Sequence, residues 1–154
     1  TDALLTCKGN IAFCCARLGQ KEEALALRRE IYATTKATIG PQDPRTIRIA
    51  LNLACSLREV NLAECMSLVR ETMPIAKQVF GADSDLHLRF VWTYGDCIIS
   101  DETNLSHDDL LEARVTLEEG FRRSRRVLGP QHPITLSLEG RLDWAREKLR
   151  IAQH

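Results

Sequence analysis

A seven-residue phrase written twice limits what this chain can fold into. Gly40-Pro41-Gln42-Asp43-Pro44-Arg45-Thr46 returns as Gly129-Pro130-Gln131-His132-Pro133-Ile134-Thr135, and a decayed copy, Gly81-Ala82-Asp83-Ser84-Asp85-Leu86-His87, lies between them. Each copy reads as one helix ending and the next beginning. The glycine suits the left-handed position just past a helix, and Asp43, His132 or the Asp83/Ser84 pair suits the N-cap. Pro44 or Pro133 suits the first helical position, where no amide donor is needed. Three such junctions in 154 residues imply an all-α repeat.

The segments between the junctions carry helical periodicity. Residues 2 to 18 hold Leu4, Leu5, Ile11, Phe13, Cys14, Cys15 and Leu18, an apolar band broad enough for packing on more than one side. Gly19-Gln20 stops that helix, and Lys21 to Gly40 forms a second one with Ala24, Leu25, Leu27, Ile31 and Tyr32 inward. So short a turn makes the two antiparallel. Arg45 to Glu59 and Leu62 to Phe80 repeat the pair, with Pro74 expected to kink its second member because it deletes a backbone bond and crowds the carbonyl of Arg70. The third pair runs from about Asp85 to Ile99 and from Ser106 to Leu128, where Ser106 and Asp109 form an imperfect capping box. A last helix, Ile134 to about Ile151, suits a terminal cap with one wet face.

The register is regular where packing demands it. Gly40 to Asn52, Gly81 to Thr93 and Gly129 to Arg141 are each twelve residues, and Ala24, Cys65 and Ala113 each stand sixteen before the next junction glycine. Length changes therefore fall in the turn inside each hairpin: one residue is missing near Val60-Asn61, and six are added near Ser100 to Asp109.

Asn10-Ile11-Ala12, Leu18-Gly19, Glu23-Ala24-Leu25 and the Gly40 to Thr46 phrase together resemble the tetratricopeptide repeat of the long, kinesin-light-chain-like type. Leu51-Asn52-Leu53-Ala54 with Glu64-Cys65 makes the second copy. Glu112-Ala113 followed by Gly129-Pro130-Gln131-His132-Pro133 closes the third. The resemblance implies a right-handed solenoid of helical hairpins, with about seven helices and three and a half repeats, forming one domain over 1–154. Its units are 1–40, 41–81 and 82–129, with a capping helix at 133–151. Departures are Val60-Asn61 for a Leu-Gly turn, Cys65 for a small alanine, and Thr93-Tyr94-Gly95 for Asn-Leu-Ala. A looser likeness, through Glu71-Thr72-Met73-Pro74-Ile75-Ala76-Lys77 and Arg126-Val127-Leu128-Gly129, is to tetratricopeptide segments that follow zinc fingers of the MYND type. The finger's cysteines are not here. HEAT and armadillo arrays share the spacing, but Ala12, Ala24, Ala54 and Ala113 stand where tetratricopeptide helices approach closely.

Composition narrows the function. Lysine plus arginine balances aspartate plus glutamate at 21 each, so no global charge draws the chain to nucleic acid or an acidic membrane, and no apolar run approaches the ~20 residues that span a bilayer. No secretory leader is evident, and the absence of an initial methionine reads as a segment of something longer. The six cysteines sit at apolar helical positions, without CxxC or ligand spacing to His87, His107, His132 or His154. They read as small buried hydrophobes in a reducing, cytoplasmic setting, with no metal and no cofactor expected. The chain has no G-x-S-x-G, phosphate loop or H-E-x-x-H, and no enzyme is expected.

What remains is surface. The resemblance implies that the first helix of each unit lines a concave face. Carried over, the partner-binding candidates are Asn10, Phe13 and Arg17, with Thr6; Arg48 and Asn52, with Cys55 and Glu59; Arg89, Thr93 and Asp96; and Arg141 and Trp144, with Ser137. Arg17, Arg48, Arg89 and Arg141 would form a cationic strip for an acidic peptide or a carboxylate, because arginine offers a planar fork and asparagine bonds both sides of a peptide backbone. Arg122-Arg123-Ser124-Arg125-Arg126 ends a helix that begins with Asp108, Asp109 and Glu112, a polarity that complements the macrodipole. Trp92 and Trp144 read as core. The expected function is a non-catalytic adaptor that binds a protein or peptide partner. The alternative is a structural or self-assembling element docking through the array ends.

Overall fold

The computed structural model describes residues 2–153, except the side chains of Asp2, Leu5 and Ala16. Leu5 of the expected apolar band and His154 thus lie outside the described side chains. Seven α-helices follow one another: α1 (Asp2–Arg17), α2 (Lys21–Ile39), α3 (Pro44–Leu57), α4 (Leu62–Phe80), α5 (Asp85–Ser100), α6 (His107–Val127) and α7 (Pro133–Ala152). There is no strand among the described residues. The chain divides into two compact units, 1–75 and 76–154, and the boundary falls inside α4 directly after Pro74-Ile75.

The junction phrase behaves as its chemistry requires. Gly40, Gly81 and Gly129 take φ of +90°, +94° and +95°, values that an L side chain rarely adopts. Asp43 Oδ1 accepts the amide of Arg45 at 2.9 Å, Ser84 Oγ that of His87 at 3.1 Å, and His132 Nδ1 that of Ile134 at 3.2 Å. The guanidinium of Arg45 also bonds the Asp43 carboxylate and holds its pKa below the usual carboxylate value. Three residues past each cap, Thr46, His87 and Thr135 turn inward and are buried, so the phrase supplies core as well as caps.

In the first unit α2 packs against both α1 and α3. Ala24, Leu25 and Ile31 of α2 meet Ile47, Ala50, Leu51 and Ala54 of α3 in a buried layer, and Cys65 of α4 donates its Sγ–H to the carbonyl of Ala54 at 3.1 Å. Cys65 therefore serves where a smaller residue is usual because its thiol finds an acceptor. Arg29 with Glu64 and Lys36 with Glu71 join α2 to α4 on the wet side. Exposed as they are, such pairs add little stability.

The second unit is built around α5. Leu88, Phe90, Val91, Tyr94, Cys97 and Ile98 are buried where α5 meets α6 and α7, with Leu117, Leu138 and Leu142 opposite. The lengthened turn holds a three-residue 3-10 helix, Glu102–Asn104, before α6. The Ser106 box proves complete: the Asp109 amide donates to Ser106 Oγ at 3.1 Å, and the Ser106 amide to Asp109 Oδ2 at 2.9 Å.

Several expectations need correction. Cys7, Cys14 and Cys55 are exposed and Cys15 is half-buried, leaving only Cys65 and Cys97 as buried thiols. Their apolar spacing is real, but α1 packs chiefly on α2, so its outer stripe of Leu4, Cys7, Ile11, Cys14 and Leu18 faces water. Trp92 and Trp144 are half-buried. Pro74 lies inside α4, where the sequence places it, at an exposed position.

Candidate functional site

A pocket of about 690 Å³ opens on the first unit, walled by α1 and α3 and floored by α2. The walls owe their residues to helical spacing. Thr6, Gly9 and Phe13 recur along one face of α1, and Arg45, Arg48, Ile49 and Asn52 along one face of α3. Arg28, Ile31, Thr35, Thr38 and Ile39 of α2 line the bottom. Of the residues named from the sequence, Phe13, Arg48 and Asn52 come together here, with Thr6.

The floor is the part that sequence reasoning missed. Inheritance from the repeat family names only the first helix of each hairpin, whereas α2 contributes a face of arginine, isoleucine and threonines. A threonine recurring at helical spacing, at 35 and 38, was the available signal. The polar groups are in different states. Thr38 Oγ1 donates to the carbonyl of Thr34 at 2.7 Å, Arg28 donates to Ser56 Oγ, and Arg45 is held by Asp43. Thr35, only 3% exposed, has a buried hydroxyl with no hydrogen-bond partner. A hydroxyl buried without a partner costs about 1–3 kcal/mol, and with its oxygen closed to solvent this one belongs to the packing of α2. Phe13 is 56% exposed, with the Arg17 guanidinium 5.9 Å from its ring centroid, and the neighbouring Asn10 is exposed.

Most of the other named residues lie in the second unit and are committed elsewhere. Thr93 is buried, its Oγ1 donating to the carbonyl of Arg89 at 2.9 Å. It therefore offers nothing to a partner, because the position that is asparagine in unit two sits here on a helix enclosed by two neighbours. Arg89 pairs with Asp85 at 2.8 Å. Arg141 is largely buried. Its Nε donates to Asp96 Oδ1 at 2.8 Å, its Nη1 to the carbonyl of Ser137 at 2.9 Å, and its guanidinium lies 5.6 Å from the centroid of Trp92. Asp96, Arg141 and Trp92 thus form one closed cluster, and Arg89 and Arg141 do not add free charge to a cationic strip. Trp144 carries the ammonium of Lys148 at 5.9 Å. Glu59, also named, is paired with Lys21 at 2.7 Å.

A second, shallower pocket of about 470 Å³ lies between α6 and α7, lined by Val115, Phe121, Arg122, Arg125 and Arg146 with Glu118 and Glu119. Glu119 is drawn below the usual carboxylate pKa by the ammonium of Lys77, 3.0 Å away, and by Arg123. Among the described residues no group of three or more acidic, histidine or cysteine side chains is placed to hold a metal ion. No described helix is long and apolar enough to cross a membrane.

No family model and no curated protein sequence matches the chain. Solved structures do. The TPR-like repeats of a protein described as a kinesin light chain from Podosopora anserina superpose with a TM-score of 0.77 at 18% identity, over 94% of this chain and 66% of that one. BtubC (BKLC) from P. vanneervenii superposes with 0.70 at 15% identity, over 99% of this chain and 65% of that one. A point-substituted form of the Podosopora anserina repeats gives 0.59 at 15% identity, over 97% and 89%. This chain thus spans slightly less than two thirds of the length of the first two. At these identities the likeness is one of fold: the chain has the TPR-like helical-repeat fold.

Proposed function

We propose that this protein is a non-catalytic interaction module that holds an extended segment of a partner protein in the pocket between α1, α2 and α3. The TPR-like fold supports a protein-interaction scaffold in general. The observation that carries the specific reading is the meeting in one pocket of a half-exposed aromatic ring, Phe13, the apolar Ile31 and Ile39, and the side chains of Arg48 and Asn52. Apolar lining with a few convergent polar groups is the make-up of a ligand site, and ~690 Å³ falls within the usual range of such sites. An amide of an extended chain would pair with the exposed Asn52, while Arg48 favours an acidic side chain. The exposed thiols Cys7, Cys14 and Cys55 fit a reducing intracellular compartment, where they stay unoxidised.

A second reading, self-assembly through an end of the array, is favoured by the exposed stripe of Leu4, Cys7, Ile11 and Cys14 on α1, extended by Leu18 just past its end, whose three-and-four spacing is that of a helix-pairing seam. One experiment separates them. A displayed library of short random peptides is panned on the intact protein and on Arg48→Glu with Asn52→Ala, while light scattering follows both across a concentration series. Peptides selected by the first and refused by the second support the pocket. Recovery of the same peptides by both, or none at all together with a concentration-dependent dimer, overturns it in favour of the stripe.

A further inference from the structure

Among the described residues, every lysine and arginine of the second unit holds a carboxylate, from Lys77 with Glu119 to Arg150 with Glu147, except three. Arg114, Arg122 and Arg125 have neither an ion pair nor a hydrogen-bonded side-chain partner among the described residues. All three are exposed and all lie on α6, spread over roughly a quarter of its circumference at 3.6 residues per turn. Arg122 and Arg125 border the pocket between α6 and α7, which Val115 and Phe121 make partly apolar. Arg146 reaches in from α7, 3.4 Å from Glu118.

The helix macrodipole accounts for Arg125, in the last turn of α6, and not for the others. Its field fades within a turn of the helix end, whereas Arg122 lies further in and Arg114 sits in the N-terminal half, where a cation gains nothing from it. Three guanidinium groups without an ion pair, two of them on the rim of a partly apolar hollow, are thus left without a role in holding the fold.

We propose that this face of α6 and α7 is a second interaction surface, distinct from the pocket of the first unit, and that its partner is a short acidic polypeptide segment with an apolar residue between its acidic ones. The spacing sets the pattern. Eight residues of helix place Arg114 and Arg122 about 12 Å apart along the axis, and Arg125 roughly one turn beyond. An extended chain covers about 13 Å in four residues, so carboxylates at its first and fifth positions reach the two arginine stations. The third side chain, on the same side of the strand, then falls over Glu118, between the levels of Val115 and Phe121. Glu118 and Glu119 stand between the stations and decide the partner's class. A peptide can present a neutral residue to them. Duplex nucleic acid, with a charge about every 1.7 Å of its axis, would set phosphates beside carboxylates that Arg146, Lys77 and Arg123 already hold, where no unpaired cation meets them.

The test uses the intact protein and a fluorescein-labelled peptide, Gly-Glu-Ser-Leu-Ser-Glu-Gly, followed by anisotropy, with a labelled DNA duplex as a second probe. The peptide is expected to bind in a salt-sensitive manner. Arg122→Ala with Arg125→Ala should weaken it by about tenfold or more, about 1.4 kcal/mol per factor of ten. Replacing leucine with serine in the peptide should weaken it less, and Arg48→Glu, in the other unit, should leave it unchanged. Arg122→Lys with Arg125→Lys should retain only part of the affinity, since the charge is kept and the planar fork is lost. No measurable binding, equal binding by the alanine variant, or tighter binding of the duplex than of the peptide would each overturn the proposal. Loss through Arg48→Glu alone would overturn it too, by assigning the peptide to the first pocket.

Discussion

Gly120 sits in the interior of α6 with no turn to make, and its reason for being glycine is space. A Cβ built there would lie 2.7 Å from Val91 Cγ1 of α5, 3.5 Å from Val91 Cβ and 3.7 Å from Leu138 Cδ1 of α7. Carbon atoms rest about 3.5–4.0 Å apart, so the first contact overlaps by close to 1 Å. Val91 is buried and β-branched, which leaves it one favoured rotamer in a helix and nowhere to turn. Overpacking of this kind costs about 1–3 kcal/mol, against the ~1 kcal/mol that alanine gains over glycine inside a helix. Gly140 in α7 supplies the control: it is exposed, helical, and has nothing within 4 Å of its Cβ position. Gly140→Ala should therefore stabilise by about 0.5–1 kcal/mol, while Gly120→Ala should destabilise by about 1 kcal/mol. Because the two changes share their propensity and unfolded-state terms, the gap of about 2 kcal/mol isolates the contact and corresponds to roughly 4–8 °C in Tm. Urea titration followed by circular dichroism measures it. Adding Val91→Ala to Gly120→Ala should cost less than Val91→Ala costs the parent, since the new methyl then occupies the vacated volume. Equal gains from the two glycine variants would show that α5 and α6 do not approach as closely as described.

Two further outcomes follow from single groups. Pro74→Ala, at an exposed interior position of α4, restores an amide donor and removes the ring, and should raise stability by about 1–3 kcal/mol; an unchanged Tm would mean that the helix has already absorbed the proline. His87 is buried and its Nδ1–H donates to the carbonyl of Ala82 at 3.0 Å. Burial first, then the charges of Lys77 and Arg123, hold its pKa below the usual value of about 6.5 despite the opposing pull of that carbonyl and of Glu119. The unfolded chain then takes up the proton first. Stability should be constant above the unfolded pKa, fall as pH drops through about 6.5, and level off below the folded pKa. Asp83 and Glu119, whose pKa values are lowered by arginine and lysine partners, lose their contribution only at more acidic pH, so the two regions separate. His87→Gln should flatten the first fall; an unaltered slope would remove His87 as its source.

Most of the architecture could be read from the chain alone. A glycine that needs positive φ, a short polar cap and a proline at the first helical position act within a few residues of one another. Their chemistry therefore does not depend on what the rest of the molecule does, and the positions of α2 to α7 followed to within one or two residues. The sixteen-residue interval from Ala24, Cys65 and Ala113 to the junction glycine likewise marked three buried contacts. Tertiary structure alone decided which polar groups pair with which. Arg89 is held by Asp85, Arg141 by Asp96, and Thr93 is enclosed, because pairing and burial depend on residues a turn, a helix or about forty positions away. The pocket floor escaped notice for the same reason. A site is assembled from faces of several helices, and periodicity within one helix shows that a face exists without showing what stands opposite it.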